Sequence, residues 1–552
     1  MQLPNRRELE IRRGPEPVIV RLAGLFAVLS ATVLSAQGGS PCAPQVVADE
    51  VTLSSGGGAN PDAALFEDGS GIVVWSGVGT SIGDDSRTAI IARRLDAAGN
   101  PAGDLFVVNT VTEQDQARPR VAAAPNGRFV VVWQSDVSPG DDERRSIRAR
   151  THGPDGTPIG PDFQVNTATE GDQIEADVAM ADDGTFVVVW EDGAFSDRGN
   201  EVKARLFNTD GSPRGGELVV NDFTDDGQSE PAVAMAPDGR FVVTWTSRGG
   251  PGNDSGFSIQ ARIFDAGGNP VANQFQVNTT TRDTQATPAI AMDPDGTFLI
   301  AWRSDVSDES DQDGRSIHAR GYLINGAAVG TQKQINERTT NNQTTPYVAA
   351  AGGREFLIVW ESNENTLNPS IQARAVTLEG QPLGIEFNVG ESGDTSGVNP
   401  GVGGNGAGRT IALWTPGSAV LGTVYDLPCV TGGGVTDCTE DATTLCLTGD
   451  RFRVTVLWED QSGKRGVGQA VELTPDTGYF WFFDSANVET VIKVLDACGF
   501  NDRFWVFVGG LTDLRIDFLV EDVETSVIRR YQNPQGVAFD TINDTSAFDT
   551  CP

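Results

Sequence analysis

The sequence predicts an all-β protein: a seven-bladed β-propeller followed by a β-sandwich. Three observations predict it. First, one eight-residue string returns seven times, as in DGTFVVVW at 183–190. Its copies end at Trp75, Trp133, Trp190, Trp245, Trp302, Trp360 and Trp414, 54 to 58 residues apart. A fixed period of this length marks a repeat architecture in which each unit buries its neighbour's face. Second, one period read from 163 to 220 holds four short strand candidates, FQVN, DVAMA, TFVVVW and EVKARLFN, separated by turn residues. Third, the Trp-bearing strand is apolar on both faces instead of alternating, so each small sheet must be covered on both sides. Radial packing of four-stranded sheets does this.

The elements follow in order. Within each blade the first two strands meet at Asp68-Gly69, Asn126-Gly127, Asp183-Gly184, Asp238-Gly239 or Asp295-Gly296. These pairs predict two-residue type I′ hairpins, whose central residues both need positive φ. The propeller is expected over 44–427. Its last copy supplies three strands, at about 398–426, and the segment PQVVAD at 44–49 stands before the first copy. That N-terminal strand is expected to complete the seventh sheet. Cys42 and Cys429 flank the two ends of the ring. A disulfide between them would contribute about 5 kcal/mol in the chain-entropy view. Residues 428–444 read as a linker, and 445–552 as the β-sandwich, with RFRVTVLWED, GYFWFFD, VETVIKVLD, RFWVFVGG and LRIDFLVED at strand spacing and no helix needed. Cys438–Cys446 and Cys498–Cys551 are the expected bridges there.

Residues 1–36 read as a signal peptide. Arg6, Arg7, Arg12, Arg13 and Arg21 precede the apolar run LAGLFAVLSATVLSA at 22–36. The run is short for a bilayer span and suits a secretory segment, with an uncleaved anchor as the alternative. No other segment is apolar and long enough to span a membrane. The even cysteine count fits an oxidising compartment, so the expected location is secreted, extracellular or at the cell surface. The formal net charge is −36, from 76 acidic and 40 basic residues. Such a field repels phosphate backbones and anionic membranes, which excludes nucleic acid as a partner.

The repeat PxVAxxxDGxFVVVW, then IxAR, then FxVN, resembles secreted seven-bladed propellers of large bacterial extracellular proteins over 44–427. The C-terminal stretch resembles a module carried by many secreted bacterial proteins. These resemblances imply fold and compartment and no particular activity.

The polar residues divide into repeated and non-repeated ones. Arg93, Arg150, Arg205, Arg262, Arg320 and Arg374 share one place in the third strand, and Gln116, Gln173, Gln228, Gln285 and Gln343 share another. A residue present in nearly every blade maintains the blade. The expectation is that the arginines bridge blades by meeting acidic groups and that the glutamines satisfy backbone, rather than forming an anion site. Sites break symmetry, and the loops after the Trp strands differ most. In one of them Asp308, Asp311 and Asp313 precede Gly314 and offer oxygen ligands to calcium, the one cofactor the sequence suggests. The EF-hand match is partial, since Glu309 holds the first position. A solvated acidic loop is the alternative. In the sandwich, Tyr479 and Trp481 share one strand face as a sugar-stacking platform, against a plain core-and-cover role.

Enzyme signatures are sparse. His152 and His318 are the only histidines. GxSxG, P-loop and HExxH motifs do not occur. The sequence favours a secreted non-catalytic binding or scaffold protein with carbohydrate or a surface protein as partner. The second reading is a propeller glycosidase or polysaccharide lyase with an appended binding module. A channel mouth lined by unlike carboxylates, Arg and Tyr favours the enzyme; one lined by repeated residues favours the scaffold.

Overall fold

A computed structural model describes residues 44–78, 87–136, 145–193, 199–224, 226–249, 256–305, 314–363, 369–391, 399–417, 419–427, 438, 440, 442–460, 465–523 and 527–551. Seven four-stranded antiparallel sheets are followed by two five-stranded ones. Blades 1 to 6 each run outward through four consecutive strands. Blade 3, for example, comprises Asp172–Met180, Phe186–Gly193, Glu201–Phe207 and Leu218–Val219. Blade 7 takes Gly401–Gly404, Arg409–Trp414 and Val420–Asp426 from one end of the chain and Gln45–Ser54 from the other. The innermost strand of each blade packs on that of the next, and Gly401–Gly404 packs on the innermost strands of both blade 6 and blade 1. The ring therefore closes. The contact is so close that a Cβ on Gly401 would lie 2.2 Å from the Pro61 carbonyl oxygen, and one on Gly403 2.5 Å from that of Ala63. This is why the repeat's Val-Ala pair becomes Val402-Gly403 there.

The doubly apolar strand is explained by its two neighbours. Val187 and Val189 of blade 3 pack with Phe241, Val243 and Trp245 of blade 4. Phe186, Val188 and Trp190 pack with Val130 and Val132 of blade 2. The six tryptophans from Trp75 to Trp360 are fully buried. Such an indole needs an acceptor. The recurrent glutamine supplies it: Trp133 Nε1 donates to Gln116 Oε1 at 2.8 Å and Trp245 Nε1 to Gln228 Oε1 at 2.9 Å. In four blades the glutamine amide also donates to a backbone carbonyl three residues earlier, as Gln116 does to Glu113 at 3.2 Å. In blade 1 Gly58 takes the glutamine's place, packed under Val420 and Trp75, and Trp75 Nε1 has no partner among the described residues. Gln228→Leu therefore strands the Trp245 N–H in the core. Its expected cost is about 1–3 kcal/mol, read as a lower urea midpoint.

The hairpins depart from the expected type. Gly69, Gly127, Gly184, Gly239 and Gly296 have φ between 81° and 86°, while the residues before them are not left-handed. The amide of Gly184 donates to the Ala181 carbonyl, and that of Ala181 to Thr185. This is a type I turn closed by a glycine bulge, not type I′. The Asp side chain explains the choice. Asp183 Oδ1 accepts from the Thr185 amide at 2.8 Å, an Asx turn that holds Asp183 right-handed and leaves the single left-handed position to Gly184.

Of the two C-terminal sheets, one carries Phe452–Glu459 and Arg515–Asp522 at its centre. The other orders Gln469–Thr474, Thr477–Trp481, Thr490–Asp496, Phe504–Gly510 and Ile542–Phe548. Phe452, Val454, Phe480, Ile492, Val506, Phe518 and Phe548 form one core between them. A short helix, Cys498–Asn501, stands where the sequence reading needed none. Its first residue bridges to Cys551, and Cys438 bridges to Cys446. Cys42 and Cys429, residues 1–36 and the calcium candidates Asp308, Asp311 and Asp313 lie outside the described residues.

Candidate functional site

The innermost strands share a kink. Asn60, Arg118, Glu175, Glu230, Thr287 and Thr345 have φ between 51° and 53°. Each coincides with a break in pairing to the second strand, as between Ala117 and Arg120 or Thr344 and Tyr347. These are β-bulges, and the proline that follows in most blades fits because a bulged position need not donate to the ladder. A left-handed conformation is costly for β-branched Thr287 and Thr345, and backbone strain of this kind clusters at functional sites.

The bulges place two layers of side chains on a central cavity of about 810 Å³. One is nearly uniform: Ala64, Ala122, Ala179, Ala234, Ala291, Ala349 and Gly403. The other, two residues earlier, is not: Asp62, Arg120, Asp177, Ala232, Ala289 and Tyr347 line the cavity, with Gly401 at the matching place in blade 7.

Arg120 on blade 2 reaches across the channel to blade 6, where its Nη2 donates to the Tyr347 hydroxyl at 2.9 Å. Its guanidinium lies 5.3 Å from the Tyr347 ring centre. Asp62 Oδ2 accepts from the Val121 amide at 2.8 Å, and Asp177 Oδ2 from the Val233 amide at 2.8 Å, so each carboxylate also staples its blade to the next. Burial pushes the Asp62 carboxyl up to about 7, against the pull of Arg120 and the Val121 amide, and the charge of Asp177 adds to the rise. Burial raises Asp177 as well, opposed by Arg120. For Arg120, burial works against the charge, but Tyr347, Asp62 and Asp177 outweigh it and hold the guanidinium protonated. At the rim Arg118 pairs with Glu175. Beside them Glu230 Oε2 accepts from the Thr287 amide at 2.9 Å and the Thr246 hydroxyl at 2.8 Å. Among the described residues, no group of three or more His, Cys, Asp and Glu side chains is placed to hold a metal.

The other candidates lie elsewhere. Tyr479 and Trp481 sit half-buried on the outward face of Thr477–Trp481, while Phe480 and Phe482 enter the core. The repeated arginines bridge blades through a different partner than expected. Arg93, Arg150, Arg205 and Arg262 donate to the carbonyls of Leu53, Val108, Val165 and Val220 on the preceding blade, at 2.7 to 2.8 Å. A backbone acceptor is present in every blade whatever its side chains, whereas an acid is added only locally, as Asp222 is for Arg262. His152 is buried against Phe129 with ring centres 4.8 Å apart, and burial, with Arg150, lowers it to about 4.

Sequence reasoning looked for broken symmetry in the loops and missed it in a strand. The signal was present in the residue before VA in PxVA, an inner-strand column that reads Asp, Arg, Asp, Ala, Ala, Tyr, Gly.

Fold and cavity define a class: a β-propeller whose channel carries a polar layer that the repeat does not dictate. No protein-family model matches the sequence, and no curated protein is similar to it. Solved structures similar to this chain include the α-L-arabinofuranosidase Arb93A from Fusarium graminearum, at 13% identity over 60% of this chain and 98% of that one, with a TM-score of 0.41. The polysaccharide lyase Uly1 is 8% identical over 68% and 91%, with a TM-score of 0.43. The β-propeller domain of the Trilobed protease from Pyrococcus furiosus is 8% identical over 68% and 95%, with a TM-score of 0.41. Likeness at this level says nothing about substrate or chemistry here.

Proposed function

We propose that this protein is an extracellular glycan-cleaving propeller, and that its substrate meets the channel at the layer formed by Asp62, Arg120, Asp177 and Tyr347. The observation that carries this reading is the non-repeated character of that layer. Blade maintenance needs the same residue seven times, and here two aspartates, a guanidinium and a phenol line one cavity. This weighs against the non-catalytic scaffold that the sequence favoured.

The chemistry is hydrolysis by paired carboxyl groups. Asp62, protonated up to about pH 7, gives its proton to the glycosidic oxygen as the anomeric C–O bond breaks. Asp177 takes a proton from the water whose oxygen bonds the anomeric carbon. One water is consumed and the two proton transfers balance. Arg120 and Tyr347 hold the carboxylates and the sugar hydroxyls in place. Tyr479 and Trp481 serve as an accessory platform that keeps the polymer near the channel. The disulfides Cys438–Cys446 and Cys498–Cys551 support an extracellular setting. The test is release of new reducing ends from a polysaccharide panel by the full chain. The expected result is cleavage that falls as pH rises through about 7. Binding without cleavage on the whole panel would return the protein to the scaffold class.

A further inference from the structure

The cavity's charges bear on which glycans can enter. Its lining holds seven acids, Asp62, Glu67, Glu175, Asp177, Asp182, Glu230 and Asp293, and two bases, Arg118 and Arg120. Both bases are already engaged, Arg118 with Glu175 and Arg120 with Tyr347, and the charges of Asp62 and Asp177 act on Arg120 as well. The chain as a whole adds a formal charge of −36. An anionic sugar approaching this channel meets an excess of acids and, among the described lining residues, no uncommitted cation.

We infer that the channel accepts uncharged sugar residues and rejects uronates. The inference rests on the glycan reading above and narrows it. Eliminative cleavage of a uronate removes the proton α to the carboxylate, and that step needs the carboxylate neutralised by a cation. Here Arg118 is paired with Glu175, and Arg120 is hydrogen-bonded to Tyr347 and held by the charge of Asp177. Hydrolysis makes no such demand, since water adds across the glycosidic bond and the sugar carries no charge that must be met. The inference thus separates glycosidase from lyase chemistry at this site.

The test uses the full chain and matched polysaccharides: each uronate polymer, its carboxyl-reduced derivative, and neutral glycans, in binding and cleavage assays at low and high salt. The expected result is preference for the neutral member of a pair by about tenfold or more at low salt, shrinking as salt screens the field. A second variant probes the mechanism. Glu175→Gln frees Arg118 at the rim, where the pair is partly exposed and costs little to break. It is expected to raise uronate affinity severalfold and leave neutral-glycan affinity unchanged. Equal or tighter binding of the uronate member, or release of unsaturated uronate ends, would overturn the inference while sustaining the glycan reading. Failure of every glycan to bind would overturn the glycan reading itself.

Discussion

Asp62→Asn is expected to lower glycan cleavage by about 10²–10⁴-fold, the usual worth of a positioned general acid. Binding should change far less, because an Asn oxygen still accepts from the Val121 amide and the side-chain volume is unchanged. The variant should also lack the fall in rate expected of the parent above about pH 7, the limb assigned to Asp62 deprotonation. Stability follows the same group with a fixed sign. A carboxyl whose folded pKa is raised contributes stability that is fully present below its unfolded value of 3.8 and lost as pH rises through about 7. Thermal unfolding of the parent should therefore weaken across that window, and that of Asp62→Asn should weaken less. A variant that kept full activity, or lost it only through unfolding, would remove Asp62 from the chemistry.

Excising residues 38–54 is expected to abolish cooperative folding of the propeller. The strand Gln45–Ser54 pairs along Val420–Asp426. Leu53, fully buried, packs there with Val420, Val424 and Trp75, and its carbonyl anchors Arg93 of blade 1. Without it blade 7 keeps three strands and exposes an open sheet edge, a template for aggregation. The expected readout is loss of the single unfolding transition together with aggregation. A peptide spanning 44–54, added in trans, should restore part of the folded population. An excised chain that unfolds with the parent's midpoint would show that the ring closes without this strand.

The fold was largely legible in the sequence because a repeat states its own rules several times over. The period and the doubly apolar Trp strand read directly as sheets packed on both faces. Details set by competition between local groups were less legible. The Asp-Gly turns allowed two hairpin types, and the Asp183 side chain decides between them by capping the next turn amide. The arginines looked destined for acids, but the carbonyl of the preceding blade is the acceptor present in every unit. The site was least legible. Asp62, Arg120 and Tyr347 are separated by 58 and 227 residues, and only ring closure brings Arg120 to Tyr347. No local motif spans that distance, and the cue was an inner-strand column that refuses to repeat.

The most direct test of the central claim is a crystal structure of the Asp62→Asn variant soaked with a neutral oligosaccharide that the parent cleaves. The account predicts sugar density in the channel, within hydrogen-bonding reach of residue 62 and Asp177 and beside Arg120 and Tyr347. Density confined to the sandwich face of Tyr479 and Trp481, with an empty channel, would contradict it.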